Sequence, residues 1–263
     1  MKLNKEQEKN ILLLYEAMIK HGITNIYTQT AILSIIGKES MFIPKSEQSY
    51  RNTSLERIRK IFGKRVESLS DDELRKLSQN DYEFFERVYG ANSGVLLGNK
   101  YAGDGYKFRG RGFNQITGRY AYEKYGKMMG LDLVNNPDLL NDTKIAAEAT
   151  ILFFKNRFLE KGNKLNLYNA NNINDFKNLT DSLNAVYHAN AGWGKSLESI
   201  NKDVTGGKAM AAKIAGFLKD YISINIKQEE LKKKSMIKNV VLPLFIISGM
   251  VLIFYLYKKN KRK

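Results

Sequence analysis

Apolar residues recur at helical spacing over most of the chain. Ile11, Leu14, Tyr15, Met18 and Ile19 share one face of an amphipathic helix within residues 1–22. Residues 25–40 predict a second helix with Ala31, Ile32, Ile35 and Ile36 on its apolar side. Shorter helices are expected over 55–62, 71–77 and 81–88, the middle one opened by the acidic start Ser70-Asp71-Asp72-Glu73. Residues 143–158 form the clearest central helix, with Ala146, Ala147, Thr150, Ile151 and Phe154 at core spacing, and two more helices are expected over 178–188 and 207–222. Alternating runs are few, so the fold is expected to be mainly α with at most a small sheet. Residues 90–118 hold eight glycines, too many for a helix or a regular strand, and the Asn-rich stretch 166–178 reads as a surface loop.

The last part of the chain has a different pattern. Residues 239–257 carry no charge, and as a helix they would span about 28 Å at about 1.5 Å per residue, the thickness of a bilayer's hydrocarbon core. Lys232, Lys233, Lys234 and Lys238 flank one end; Lys258, Lys259, Lys261, Arg262 and Lys263 flank the other; Tyr255 and Tyr257 sit at an interfacial position. The expected division is a folded domain over 1–226, a basic linker over 227–238, one transmembrane helix over 239–257 and a basic tail over 258–263. At the other end, the uncharged run from Ile11 to Tyr15 is too short for an export signal.

Composition narrows the chemistry. The net charge is +16, and residues from Lys227 onward supply half of it, with ten basic and two acidic side chains. That half suits anionic lipid headgroups without requiring nucleic acid, and the moderate remainder of +8 suits an anionic polymer such as cell wall or nucleic acid, or simply a solvated surface. With no Cys and two His, thiol catalysis, disulfide scaffolds and a three-His metal site are excluded, and no metal or cofactor is expected.

Two acids stand out. Glu39 closes the apolar helix AILSIIGKES, which places its carboxyl at the edge of the core, where desolvation would favour a general acid. Glu47 follows a Pro44-containing turn among Ser46, Gln48, Ser49, Tyr50 and Asn52, a polar setting suited to a general base. Glycoside hydrolysis needs such a pair; a surface role for either carboxylate is the alternative. The Arg109–Arg111 glycine run stands as a single copy without the tandem repeats of an RNA-binding stretch, and Trp193 fits a core anchor as well as a sugar platform.

Residues 107–126, KFRGRGFNQITGRYAYEKYG, resemble the Y-x-G-R-G-x-x-Q-L-T-G-x-x-N-Y segment of family 19 glycoside hydrolases, the plant-type chitinases and related phage endolysins. Gly110, Arg111, Gly112, Gln115, Thr117, Gly118 and Tyr122 match that pattern. GKES at 37–40 resembles the family's H-E-[ST]-G-G, with Lys38 for the His and Met41-Phe42 for the glycines; Glu47 matches the second Glu of the endolysins. EATILFFKNR at 148–157 resembles the central helix, and HANAGWG at 188–194 resembles the I-N-G-G turn, with Asn190 at the substrate-facing Asn.

The resemblance implies a lysozyme-like two-lobed helical domain around a cleft and an inverting mechanism. Glu39 would protonate the glycosidic oxygen, and Glu47 would deprotonate a water. Tyr50 and Thr53 would position Glu47 or that water. Gln115 and Asn190 would bind the sugar, and Arg109 or Arg111 would pair with Glu39 or Glu47, or hold an anionic stem peptide. The implied partners are peptidoglycan glycan strands, a lipid bilayer and other virion proteins, in a virion internal membrane or a host inner membrane. Two rivals stay open: a lytic transglycosylase using Glu39 alone, for which E-S-x-F-x-P at 39–44 is a loose match, and a non-catalytic membrane-anchored wall-binding or virion structural protein.

Overall fold

Helix α1 (Lys5–Lys20) begins at Asn4, whose side chain accepts the Gln7 N–H while Gln7 Oε1 accepts the Asn4 N–H. This reciprocal pair satisfies two donors that a helix start leaves open. Helix α2 (Ile26–Ser40) starts in the same spirit on Asn25, which accepts from the N–H groups of Tyr27 and Thr28. Then follow α3 (Leu55–Phe62), α4 (Asp71–Ser78), α5 (Asp81–Tyr89), α6 (Asp104–Lys107), α7 (Arg119–Met129), α8 (Thr143–Leu159) and α9 (Leu179–Ala191). The computed structural model describes residues 3–196, 200, 204, 205, 207–218 and 220. Contacts divide the chain into Met1–Ala212 and Lys213–Lys263; in the second, residues 213–218 are helical.

The expected linker, transmembrane helix and basic tail lie outside the described residues, as does the expected domain end at 226. Among the described residues, no helix is long and apolar enough to cross a membrane.

In the first unit, α8 is the central element, packed by α1, α7 and α9, while α2 lies along α9. Ala146, Ala147, Ala149, Thr150, Ile151, Leu152 and Phe154 are all buried, so α8 is covered on nearly every side. A second core, formed by Ile58, Phe62, Val66, Leu74, Phe84, Phe85 and Val88, belongs to α3–α5 and makes a separate small lobe. A third cluster joins Phe108, Ile116, Tyr122, Tyr125, Leu133, Leu140, Ala149 and Leu152, fastening the glycine-rich segment to α7 and α8. The chain is thus mainly α. The pairing nearest to a sheet among the described residues is the isolated bridge Arg111↔Ile116, with residues 45–47 alongside. Glu47 N–H donates to Gly110 O at 2.7 Å and Lys45 N–H to Gly112 O at 3.5 Å.

Helices α6 and α7 were not expected from the pattern. Gly118, at φ +90°, starts α7 without a side-chain cap, and Gly126 interrupts its buried face of Tyr122 and Tyr125. Only a glycine fits at 118: a Cβ there would stand 2.6 Å from the Leu97 carbonyl oxygen.

Two fastenings set the backbone around the glycine-rich segment and the turn after α2. The first is a buried ion pair. Asp104 receives Arg119 through two contacts, 2.6 and 2.8 Å, and also accepts the N–H groups of Lys100 and Tyr101. Burial pushes the Asp104 carboxyl up, but these hydrogen bonds outweigh it and hold the pKa at about 2. The second is a turn after α2 in which Met41 and Phe42 are both left-handed, with φ of 53° and 61°. Each such residue costs roughly 1–2 kcal/mol when it is not glycine. Helix α1 holds the turn: Gln7 Nε2 donates to Met41 O at 3.0 Å and Asn10 Nδ2 to Phe42 O at 2.7 Å. The Phe42 ring is fully buried over Gly37, where a Cβ would stand 2.7 Å from its Cζ.

Two outcomes follow for stability. Asn10→Ala leaves the buried Phe42 carbonyl without its donor and lowers unfolding free energy by about 1–3 kcal/mol in urea titrations. Asp104 has a depressed pKa in the folded state, so its contribution is complete above the unfolded carboxylate range and is lost as pH falls toward 2. The melting temperature therefore drops between about pH 4 and pH 2. In Asp104→Asn, that portion of the drop disappears from a lower starting value.

Candidate active site

Glu47 sits on the extended segment beside Gly110, half-buried. Both of its oxygens are engaged. Oε1 accepts the Tyr50 hydroxyl at 2.9 Å and the Tyr89 hydroxyl at 3.0 Å; Oε2 accepts the Gly110 N–H at 3.2 Å. A carboxylate offers about four lone-pair positions, so one acceptor position remains for a ligand or a water.

The two phenols come from the small lobe's aromatic core. The Tyr50 ring packs 5.0 Å from both Phe62 and Phe84, and Tyr89 stacks 6.0 Å from Phe85. Burial first, and then the charge of Glu47, push both hydroxyls well above the ordinary tyrosine range. They therefore remain protonated donors at any working pH.

Gln115 lies against the same glycine. A Cβ on Gly110 would stand 2.7 Å from Gln115 Oε1 and 3.2 Å from Glu47 Oε2, so the bare backbone lets both side chains approach. Gln115 is itself left-handed, with φ 53°, and its Nε2 donates to Lys45 O at 2.9 Å and Gly112 O at 3.1 Å. Asn141 supports the same segment by donating to Ser46 Oγ at 2.9 Å. Thr53 is tied to Tyr50 through its backbone, with its N–H donating to Tyr50 O at 2.9 Å.

The structure thus brings Glu47, Tyr50 and Gln115 together, with Thr53 adjoining. Glu39 lies at the other end of the turn through Met41 and Phe42. Its expected desolvation is not found. The last turn of α2 directs Gly37 and Ser40 inward and leaves Lys38 and Glu39 exposed, and Glu39 makes no hydrogen bond or ion pair with any of the described residues. Asn190 occupies the last turn of α9, half-buried. The Lys38 ammonium stands 5.6 Å over the Tyr187 ring, which sets the ends of α2 and α9 side by side.

Arg111 departs from its expected role. It is 2% exposed and spends its donors within the protein: Nε on Asp138 at 2.8 Å, Nη1 on Lys107 O at 2.7 Å and on the Tyr122 hydroxyl at 2.9 Å. It braces the 107–111 backbone from below instead of meeting a sugar or a glutamate. Arg109 likewise lies 4.3 Å over the Tyr106 ring and donates to Tyr106 O at 2.9 Å. Trp193 is a core anchor, donating to Arg157 O at 2.6 Å between Phe158 and His188.

Three contributors escaped the sequence reading: Tyr89, the Gly110 N–H, and the Gln7–Asn10 pair that holds the intervening turn. Tyr89 falls one residue past the helix expected over 81–88, and a backbone donor carries no side-chain signal. Among the described residues, no group of three or more His, Asp and Glu side chains could hold a metal ion.

The glycoside hydrolase family 19 profile, described as chitinase class I, matches residues 86–230. Gln115, Arg111 and Asn190 fall inside that span, whereas Glu39, Glu47, Tyr50 and Thr53 precede it. Chitinase 11 of Oryza sativa subsp. japonica is 45% identical over 47 residues, 18% of this chain and 18% of that protein. Basic endochitinase B of Arabidopsis thaliana is 45% identical over 51 residues, 19% of this chain and 15% of that protein. The chain therefore matches less than a fifth of the length of these curated relatives. A crystal structure of a chitinase C variant superposes with a TM-score of 0.44 at 14% identity, covering 82% of this chain and 70% of that one. With more than half its length matched by the profile, the chain belongs to glycoside hydrolase family 19.

Proposed function

We propose that this family 19 member hydrolyses the β-1,4 bond between N-acetylmuramic acid and N-acetylglucosamine in peptidoglycan, by inversion, with Glu39 as general acid and Glu47 as general base. The observation that carries this reading is the three-donor cradle around Glu47. It fixes one carboxylate as an acceptor with a single position left over, which is what activation of one water requires. Glu39, exposed and unpartnered among the described residues, keeps both oxygens for a glycosidic oxygen, and burial beneath a bound sugar would supply the desolvation it lacks in the free protein. An inverting pair needs room for a water between the carboxyl groups, about 6.5–9.5 Å.

The relatives are named as chitinases, and chitin shares β-1,4-linked N-acetylglucosamine with peptidoglycan. Peptidoglycan is preferred here because its free carboxylates suit the +8 carried by residues before Lys227. The uncharged, lysine-flanked run 239–257 supports attachment to a bilayer. A place in the internal membrane of a lipid-containing phage, opening the wall during entry, fits the combination of wall substrate and lysine-flanked apolar run. Detection in purified virions tests this; presence only in lysing host cells counts against it.

A lytic transglycosylase requires one acid and no catalytic water, which leaves the Glu47 cradle without a purpose. Products decide between the two: reducing ends for hydrolysis, 1,6-anhydro ends for the transglycosylase. With the full-length chain on purified peptidoglycan, Glu39→Gln and Glu47→Gln each reduce the release of reducing ends by at least about a hundredfold. Retention of activity in both variants sinks the assignment. Tyr89→Phe removes one of the hydrogen bonds to Glu47 and lowers kcat by on the order of tenfold, with KM little changed.

A further inference from the structure

We propose that the face of α5 turned away from the small-lobe core holds a second glycan-binding site, with Tyr82 and Tyr101 as rigid platforms for pyranose rings. Its occupant, a neutral stretch of β-linked N-acetylated sugars, rests on the substrate reading above. A groove of about 610 Å³ lies there, lined by Tyr82, Glu83, Arg87, Asn92, Lys100 and Tyr101 among others. That volume falls within the range of small-ligand clefts. Tyr50, Tyr89, Gly110 and Gln115 are not among its lining residues. Phe84, Phe85 and Val88 point from α5 into the core, whereas Tyr82, Glu86 and Gly90, four residues apart, follow another face of the helix into the groove.

The two rings are exposed yet braced. Tyr101 is 64% exposed, but its N–H donates to Asp104 at 3.1 Å, and the Arg119 guanidinium backs its ring 5.0 Å from the centroid. Arg119 is itself held in the two-contact grip of buried Asp104. Tyr82 is 48% exposed, rests 5.8 Å from the Tyr106 ring and brings its hydroxyl over Gly103, where a Cβ would lie 3.5 Å away. A ring fixed beforehand loses little conformational entropy when a ligand stacks on it. The C–H face of a pyranose is the apolar, flat partner that such a platform accepts.

The polar rim agrees with an uncharged ligand. Glu83 and Glu86 balance Arg87 and Lys100. Arg87 is occupied by Arg65 O and Ser68 Oγ, and Glu86 by the Tyr106 N–H. The side chains of Glu83, Asn92 and Lys100 make no hydrogen bond or ion pair with the described residues, which leaves them to meet sugar hydroxyl and acetamido groups. A second hold on the same polymer raises the local concentration of bonds at the first site.

The test uses the full-length chain carrying Glu39→Gln, co-sedimented with purified peptidoglycan, with Tyr82→Ala or Tyr101→Ala added. Each added substitution is expected to weaken binding by about fivefold or more, and Tyr101→Phe, which keeps the ring, restores it. Binding equal to that of the parent in both alanine variants overturns the proposal, as does a Tyr101→Phe loss as large as that of alanine. A parent that does not sediment with peptidoglycan overturns it too. In chains with both glutamates intact, the ratio of kcat/KM on peptidoglycan to that on the N-acetylglucosamine tetramer falls at least fivefold in Tyr101→Ala; an unchanged ratio counts against the site. If Glu39→Gln itself still hydrolyses, the active-site assignment fails alone, and the binding comparison still decides this one.

Discussion

Two consecutive left-handed residues, Met41 and Phe42, separate the carboxylates, and in L-amino acids that conformation has to be held from outside. The hold comes from α1. Gln7 and Asn10, both buried, give their amide donors to the two carbonyls of the turn, and the Phe42 ring closes over Gly37. A turn made of glycines would reach this geometry without help. Here side chains fill the glycine positions of the family pattern, and the N-terminal helix supplies the restraint. The spacing of Glu39 from Glu47 therefore depends on contacts more than thirty residues away in sequence.

The small lobe is coupled to the same site through its rings. Tyr50 and Tyr89 are at once members of an aromatic core and donors to Glu47. Packing that fixes their rings against Phe62, Phe84 and Phe85 also fixes where their hydroxyl groups lie, so the orientation of the carboxylate is decided by apolar contacts. Loss of a core ring in α3–α5 would loosen Glu47 without touching it. Beneath the third donor, Gly110, Arg111 does the equivalent with hydrogen bonds, tying Lys107, Tyr122 and Asp138 together under the backbone that carries the N–H.

Much of the helical frame was legible in the sequence because it follows the 3.6-residue period. The expected 55–62 helix coincides with α3, and Thr143 opens α8 where the pattern placed it. Helix α7 was not legible: its start is a positive-φ glycine, and its buried face is made of tyrosines, which read as polar or apolar depending on what they meet. In the candidate site, Glu47, Tyr50 and Gln115 were singled out by a polar neighbourhood and a motif, and the fold brings Glu47 and Gln115 against Gly110 with the Tyr50 hydroxyl on Glu47. Arg111 misled because a charged residue in a glycine run suggests a ligand, yet a guanidinium with several fixed donors is also the side chain best able to pin a loop of carbonyls from inside. Glu39 misled in the opposite direction: the apolar residues before it predict burial, but the last turn of a helix has already rotated past its core face.

The glycine-rich segment shows how such a loop can be rigid. Asp104 draws in Arg119 and two backbone N–H groups; Asn99 accepts the Arg119 N–H and donates to Tyr89 O. The start of α7, the end of α5 and the loop between them are thus joined by polar contacts where apolar side chains are scarce. One consequence reaches the site: the carbonyl that Asn99 holds belongs to Tyr89, whose hydroxyl holds Glu47. Another reaches the surface: the guanidinium that Asp104 fixes is the backing of the Tyr101 ring. A single buried ion pair therefore steadies the carboxylate's support on one side and an exposed aromatic platform on the other, which makes the flexible-looking stretch of the sequence the part that aligns the two.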